Sequence, residues 1–296
     1  MNSAWKAWGY LIQWTFARQW KANQMVWISL FLLGICTGIV LLFTTSTGWN
    51  RYEWRVQRTK PFRAEFLAGG LAHAAIEGSE LIARYKRETK PHAVFSKNVV
   101  FMLYLGFLLP MQSLSFAAAA FGQDRENRTM IWLSSRPIPR WGIYLAKWLG
   151  VLPWVLFLNV GGFAILCLAG GSTGRDLFWL YLPSIIAGSL TFSALFHFFG
   201  SIFSRPAIVG LLYAMFFETI LSELPIPGTI KRLSINYYVR CLMYSSAEKY
   251  DVPTESESLF VPVSDTTSYI VLLSATLAIT CFGMWYYSRT EIHDDA

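Results

Sequence analysis

Histidine and cysteine are scarce in this chain of 296 residues, with four of each. Cys36, Cys167 and Cys281 fall inside apolar runs, and only Cys241 sits in a polar stretch, so no disulfide framework or metal pair can be read from them. His73, His92, His197 and His293 are far apart and not spaced as ligands. There is no His-Glu-x-x-His pair and no Gly-x-Ser-x-Gly elbow. Nor is there a Gly-x-x-x-x-Gly-Lys-Ser/Thr loop: the nearest fragment, Gly170-Gly171-Ser172-Thr173-Gly174-Arg175, lacks the lysine and reads as a turn. The chain is therefore not expected to bind and hydrolyse ATP by itself, and no catalytic or metal site is assigned. Charge is thin as well, at 15% of residues. The first twenty-one residues mix tryptophans with charges and carry no small-residue cleavage site after an apolar core, so a cleaved signal is not expected.

What remains is apolar. Hydrophobic residues make up 54% of the chain and aromatics 17%, more than a water-soluble domain carries. The net charge of +7 comes from basic residues beside apolar runs rather than along one face of a polar domain. That favours anionic lipid headgroups as the counter-charge and argues against nucleic acid.

The expected architecture is an all-α membrane protein with six spans in a single domain, 1–296. The spans fall near 25–44, 98–121, 143–169, 178–203, 206–221 and 267–287, lengths suited to a hydrocarbon core of roughly 30 Å, although the fifth is short. Trp5, Trp8, Ile12, Phe16 and Trp20 recur at helical spacing over 1–23, an amphipathic pattern that reads as an interfacial helix lying in the headgroup plane. Two polar segments, 46–97 and 223–266, read as facing outward. Six spans place both termini on one side. That side and the Gly122 loop hold ten Lys and Arg against fifteen opposite, but ten of the fifteen lie in the one long segment from Arg51 to Lys97. The rule relating basic loops to the cytoplasm rests on short loops, so the count leaves the orientation open.

Within the spans, Gln112, Asn159, His197 and Glu218 are the polar groups that cost most to bury, and such groups face a bundle interior, a cavity or a partner. Glu218 is the sharpest of them. About a dozen residues beyond Pro206, it lies roughly 18 Å along its helix. It either lines a path or gate, snorkels to the outer interface, or pairs with Lys231, Arg232 or Arg240. His197 reads as a hydrogen-bonded structural residue.

One dense block of charge lies between two apolar runs, from Gly122 to Lys147. Asp124 and Arg128 are spaced i, i+4, so a short polar helix supports its own charges. Pro139 is placed to open the helix that follows. The order Asp124-Arg125-Glu126-x-x-Thr129, then Arg136-Pro137-Ile138-Pro139-Arg140, then an apolar stretch reaching Lys147, resembles the cytoplasmic loop between helices two and three of ABC-2 type transporter permeases. Asp124 stands where that family has Glu, Arg128 where Gly is common, Ser134 for the second Leu of a pair, and Pro139 for Ser.

The resemblance implies the transmembrane subunit of an ABC transporter, an exporter in the cell (inner, cytoplasmic) membrane with both termini cytoplasmic. It implies a coupling helix that seats on a separate ATPase, which binds the ATP and Mg, so no cofactor is expected in this chain. Asp124, Arg125, Glu126, Arg128 and Thr129 would make the contact, with Arg136, Pro137, Arg140 and Lys147 holding the loop at the membrane. It also implies a second permease copy, joined through spans one and five. The rivals are a membrane-embedded enzyme, weakened because no nucleophile-base motif accompanies His197 and Glu218, and a scaffold or mechanotransmission subunit acting on an extracytoplasmic partner.

Overall fold

A computed structural model of the chain describes residues 2–19, 24–46, 49, 90–126, 139–220, 231–250, 252, 260 and 262–289. Every regular element among them is helical. We number these α1 (Asn2–Gln19), α2 (Gln24–Ser46), α3 (Pro91–Phe95 continuing as Ser96–Leu108 and Leu109–Ala117), α4 (Ala119–Glu126), α5 (Arg140–Ala169), α6 (Gly171–Ile202), α7 (Pro206–Leu212 continuing as Tyr213–Ile220), α8 (Ile235–Ser246) and α9 (Asp265–Arg289). Among the described residues, five stretches are long and apolar enough to cross a membrane: Val26–Ser46, Pro91–Gly122, Arg140–Ala169, Gly171–Ile202 and Asp265–Arg289. The short fifth span expected at 206–221 falls on a shorter apolar helix, Pro206–Glu218. Of the expected outward segment 46–97, only Trp49 and 90–97 lie within the described residues beyond Ser46.

The α5–α6 hairpin sets the frame. Its turn depends on glycine three times: Gly171 has φ +71°, a Cβ on Gly174 would lie 2.1 Å from the Cys167 carbonyl oxygen, and one on Gly170 would meet the Phe95 ring. The fragment that most nearly resembled a phosphate loop is thus a tight helix–helix turn. Middle α3, Ser96–Leu108, is wound wider than an α-helix, and at its end the Leu109 N–H reaches back five residues to the Tyr104 carbonyl. The Tyr104 hydroxyl then donates to the Asn159 carbonyl of α5, 2.7 Å away.

α1 and the start of α5 lie at one end of the bundle, the near end; the α5–α6 turn marks the far end. At the near end α1 follows α5 instead of crossing it at one level. The Trp8 indole N–H donates to the Gly142 carbonyl at 2.9 Å, and the Trp154 indole N–H donates to the Phe16 carbonyl at 3.0 Å. Between them, a Cβ on Gly150 would lie 2.8 Å from Thr15 Cβ. Leu11 and Thr15 are buried, whereas Tyr10 and Trp14 remain exposed. The expected flat interfacial helix is therefore one that leans along α5 for about three turns, because the missing side chain at 150 allows close approach.

α8 is the element that the sequence placed outside the bundle and the structure places within it. Tyr237, Val239, Cys241, Leu242 and Met243 are all buried. Val239 packs on Gly188, where a Cβ would lie 2.9 Å from Val239 Cγ2. Gly188 is about 25 Å along α6 from the far end. From that depth α8 runs toward the far end, and the Ser245 hydroxyl donates to Asp265 at the start of α9, at 2.7 Å. α7 rises from the near end, with Gly122 against Pro206 and Leu114 against Gly210, to meet it.

Candidate functional site

The polar groups inside the bundle fall into three separate places. The first is a seam at the centre. Asn159 Nδ2 donates to Ser113 Oγ of α3 and to Ser189 Oγ of α6, both at 2.9 Å, so one amide joins three helices. Next to it, Gln112 is fully buried, and neither its Oε1 nor its Nε2 has a hydrogen-bond partner among the described residues. Its amide rests where Gly162 lacks a side chain; a Cβ there would lie 2.7 Å from Nε2. A buried amide left unpaired is costly, so Gln112 lowers the stability of the bundle here.

The second place is Glu218, which is 0% exposed. Its Oε1 accepts from the Tyr213 hydroxyl at 2.8 Å and the Ile235 N–H at 3.1 Å; its Oε2 accepts from the Ser234 hydroxyl at 2.7 Å and the Asn236 N–H at 3.0 Å. The carboxylate sits on the first turn of α8, where backbone N–H groups are unpaired and the helix dipole favours negative charge. Ser234 is the cap residue and also accepts from the Tyr237 N–H. Of the readings offered for Glu218, snorkelling to the outer interface does not describe this buried geometry. It binds the tip of α7 to the start of α8. The Ser234 cap was readable as a serine before an amphipathic run; the joining of that cap to a glutamate sixteen residues earlier was not.

The third place is the near end, where the charged loop meets the bundle. Asp124, Arg125 and Glu126 form the last turn of α4, so the expected polar helix begins as the continuation of α3 past a break at Ala118. Arg128, Thr129, Arg136 and Pro137 lie outside the described residues. Pro139 is the cap preceding α5, not its first residue: its carbonyl accepts from the Gly142 N–H at 2.8 Å, and Arg140 opens the helix.

Lys147 departs furthest from expectation. It is 1% exposed rather than at a headgroup surface, and its Nζ lies 4.2 Å from the centre of the Phe121 ring. A desolvated cation over an aromatic face is a favourable pair. Around the same ring stand His197 at 4.8 Å, Tyr287 at 5.2 Å and Tyr144 at 5.8 Å between centroids. The His197 Nε2–H donates to the Tyr144 carbonyl at 3.3 Å, as expected of a structural histidine. Phe121, Tyr144 and Tyr287 gave no signal in the sequence, since an aromatic inside an apolar run looks like any other.

Among the described residues, a helical bundle with five apolar helices of spanning length is that of a multi-pass membrane protein. The chain belongs to a known family of such proteins: the description "ABC-2 family transporter protein" matches residues 76–227, just over half its length. No curated protein matches it.

Proposed function

We propose that this chain is the transmembrane subunit of an ABC exporter that works beside a separate ATPase, with α4 and the polar turn after it as the docking element. Family membership supports a permease role. The observation that carries the ATPase contact is the placement of Asp124, Arg125 and Glu126 on a helix that continues directly from a buried bundle helix. A charged helix so mounted moves with the bundle. In this reading Glu126 and Arg125 pair with charges on the ATPase, Arg128 and Thr129 extend the contact, and Arg136, Pro137 and Arg140 fix the turn against the membrane.

ATP and Mg are held by the ATPase, and ATP-driven closure of two ATPase copies rocks two permease copies against each other. The near end, with both termini, faces the cytoplasm. Exposed apolar faces on α2 and α7, including Phe31, Leu42, Leu212 and Phe216, leave room for the second copy where spans one and five would meet it. Glu218 has a structural role here, holding the joint between α7 and α8, and Gln112 and Asn159 form the polar seam at the bundle centre. The experiment is affinity purification of the tagged chain from its native membrane: an ATPase carrying Walker motifs and hydrolysing ATP should copurify in equimolar amount. Its absence would return the scaffold reading to first place.

A further inference from the structure

We infer that Phe121 is the positioning residue that passes movement of α4 to the rest of the bundle, an inference that rests on the ATPase-docking function proposed above. Phe121 lies one turn or so before Asp124, Arg125 and Glu126, on the same helix, and is fully buried. Its ring touches groups from three other helices at once. Tyr144 and Lys147 come from α5, His197 from α6 and Tyr287 from α9. Through Tyr144 and Ile143 the same cluster includes Leu11 of α1, whose Trp8 is itself bonded to Gly142.

Close-packed interiors transmit displacement because they have no slack to absorb it. Two features remove slack here. Gly283 of α9 has no side chain, and a Cβ there would lie 2.2 Å from Tyr144 Oη, so α9 and α5 are in direct contact behind the ring. On the other side, α4 is held close to α6, where a Cβ on Gly200 would lie 3.1 Å from the Ala118 carbonyl oxygen. A push on the charged turn of α4 therefore reaches α5, α6 and α9 through one ring. α9 meets the cluster through Tyr287 and Gly283, so its response reads out the receiving side of the ring.

The test uses the purified complex of this chain with its copurifying ATPase, and compares backbone hydrogen exchange with and without ATP and vanadate. In the wild type, nucleotide should change exchange in residues 280–289 of α9 and 7–19 of α1. Phe121→Ala should keep the ATPase bound and its own nucleotide response intact, while the change in α9 falls about fivefold or more, the lower bound of ordinary site-to-site coupling. Phe121→Leu, which refills the space, should restore most of it. Tyr287→Leu alters only the receiving side, so it should lower the response of α9 and leave that of α1. A Phe121→Ala complex with a wild-type α9 response overturns the relay and leaves the docking function standing. So does a wild type in which α9 never responds. If Phe121→Ala does not assemble, an unchanged α9 response in Tyr287→Leu overturns it. A wild type without a bound ATPase overturns the docking function and the relay with it.

Discussion

At Glu218 each carboxylate oxygen accepts one backbone N–H, from Ile235 or Asn236, besides a hydroxyl. An amide cannot serve both, because whichever way Gln is turned its NH2 meets a backbone donor. Glu218→Gln is therefore expected to cost about 1–3 kcal/mol, the penalty for an unsatisfied buried group, and to lower the melting temperature in detergent. A melting temperature equal to the wild type would show that the α7–α8 joint does not depend on the carboxylate. Gln112 is the opposite case. Its buried amide has no partner among the described residues, so Gln112→Leu should stabilise the protein by about 1–2 kcal/mol. A lower melting temperature in that variant would mean that the amide is satisfied in the folded protein.

Among the helices, the glycines separate contacts that matter from space that does not. Gly174 faces the Cys167 carbonyl, a backbone atom that cannot swing away, whereas Gly161 has nothing within 4 Å. Gly174→Ala should lose about 1–3 kcal/mol through overpacking, and Gly161→Ala should be nearly silent. Thermal unfolding of the two variants side by side checks this, and equal losses would contradict it.

The long helices were legible in the sequence because uncharged runs of twenty residues have few alternatives. The hairpin at Gly170-Gly171 was legible as a turn for its glycines. α8 was not legible as a buried helix, since it lies in a segment read as facing outward and carries Asn236 and Arg240, with Lys231 nearby, while the fold buries all three. Its partner at Glu218 is distant in sequence, and no local pattern records that. Lys147 misled for a related reason: a lysine near a span end normally snorkels, and only the tertiary position of Phe121 gives it a buried alternative.

For the molecule as a whole, the orientation proposed above is open to direct labelling. A cysteine introduced at Thr59 or Ser256 should react with an impermeant thiol reagent in intact cells, and one at Ser134 should not; the reverse pattern would invert the topology. Cys36, Cys167 and Cys241 are buried, and the exposed Cys281, inside the apolar α9, is replaced by serine in the parent used for labelling.

Topology alone does not establish coupling. The central claim is that the charged end of α4 joins this bundle to an ATPase, and it is tested most directly by ATP turnover in the purified complex carrying Glu126→Ala. The variant should insert, dimerise and melt as the wild type does, yet lose most of its copurifying ATPase or of the turnover that depends on assembly. Wild-type turnover with a full complement of bound ATPase in that variant would contradict it.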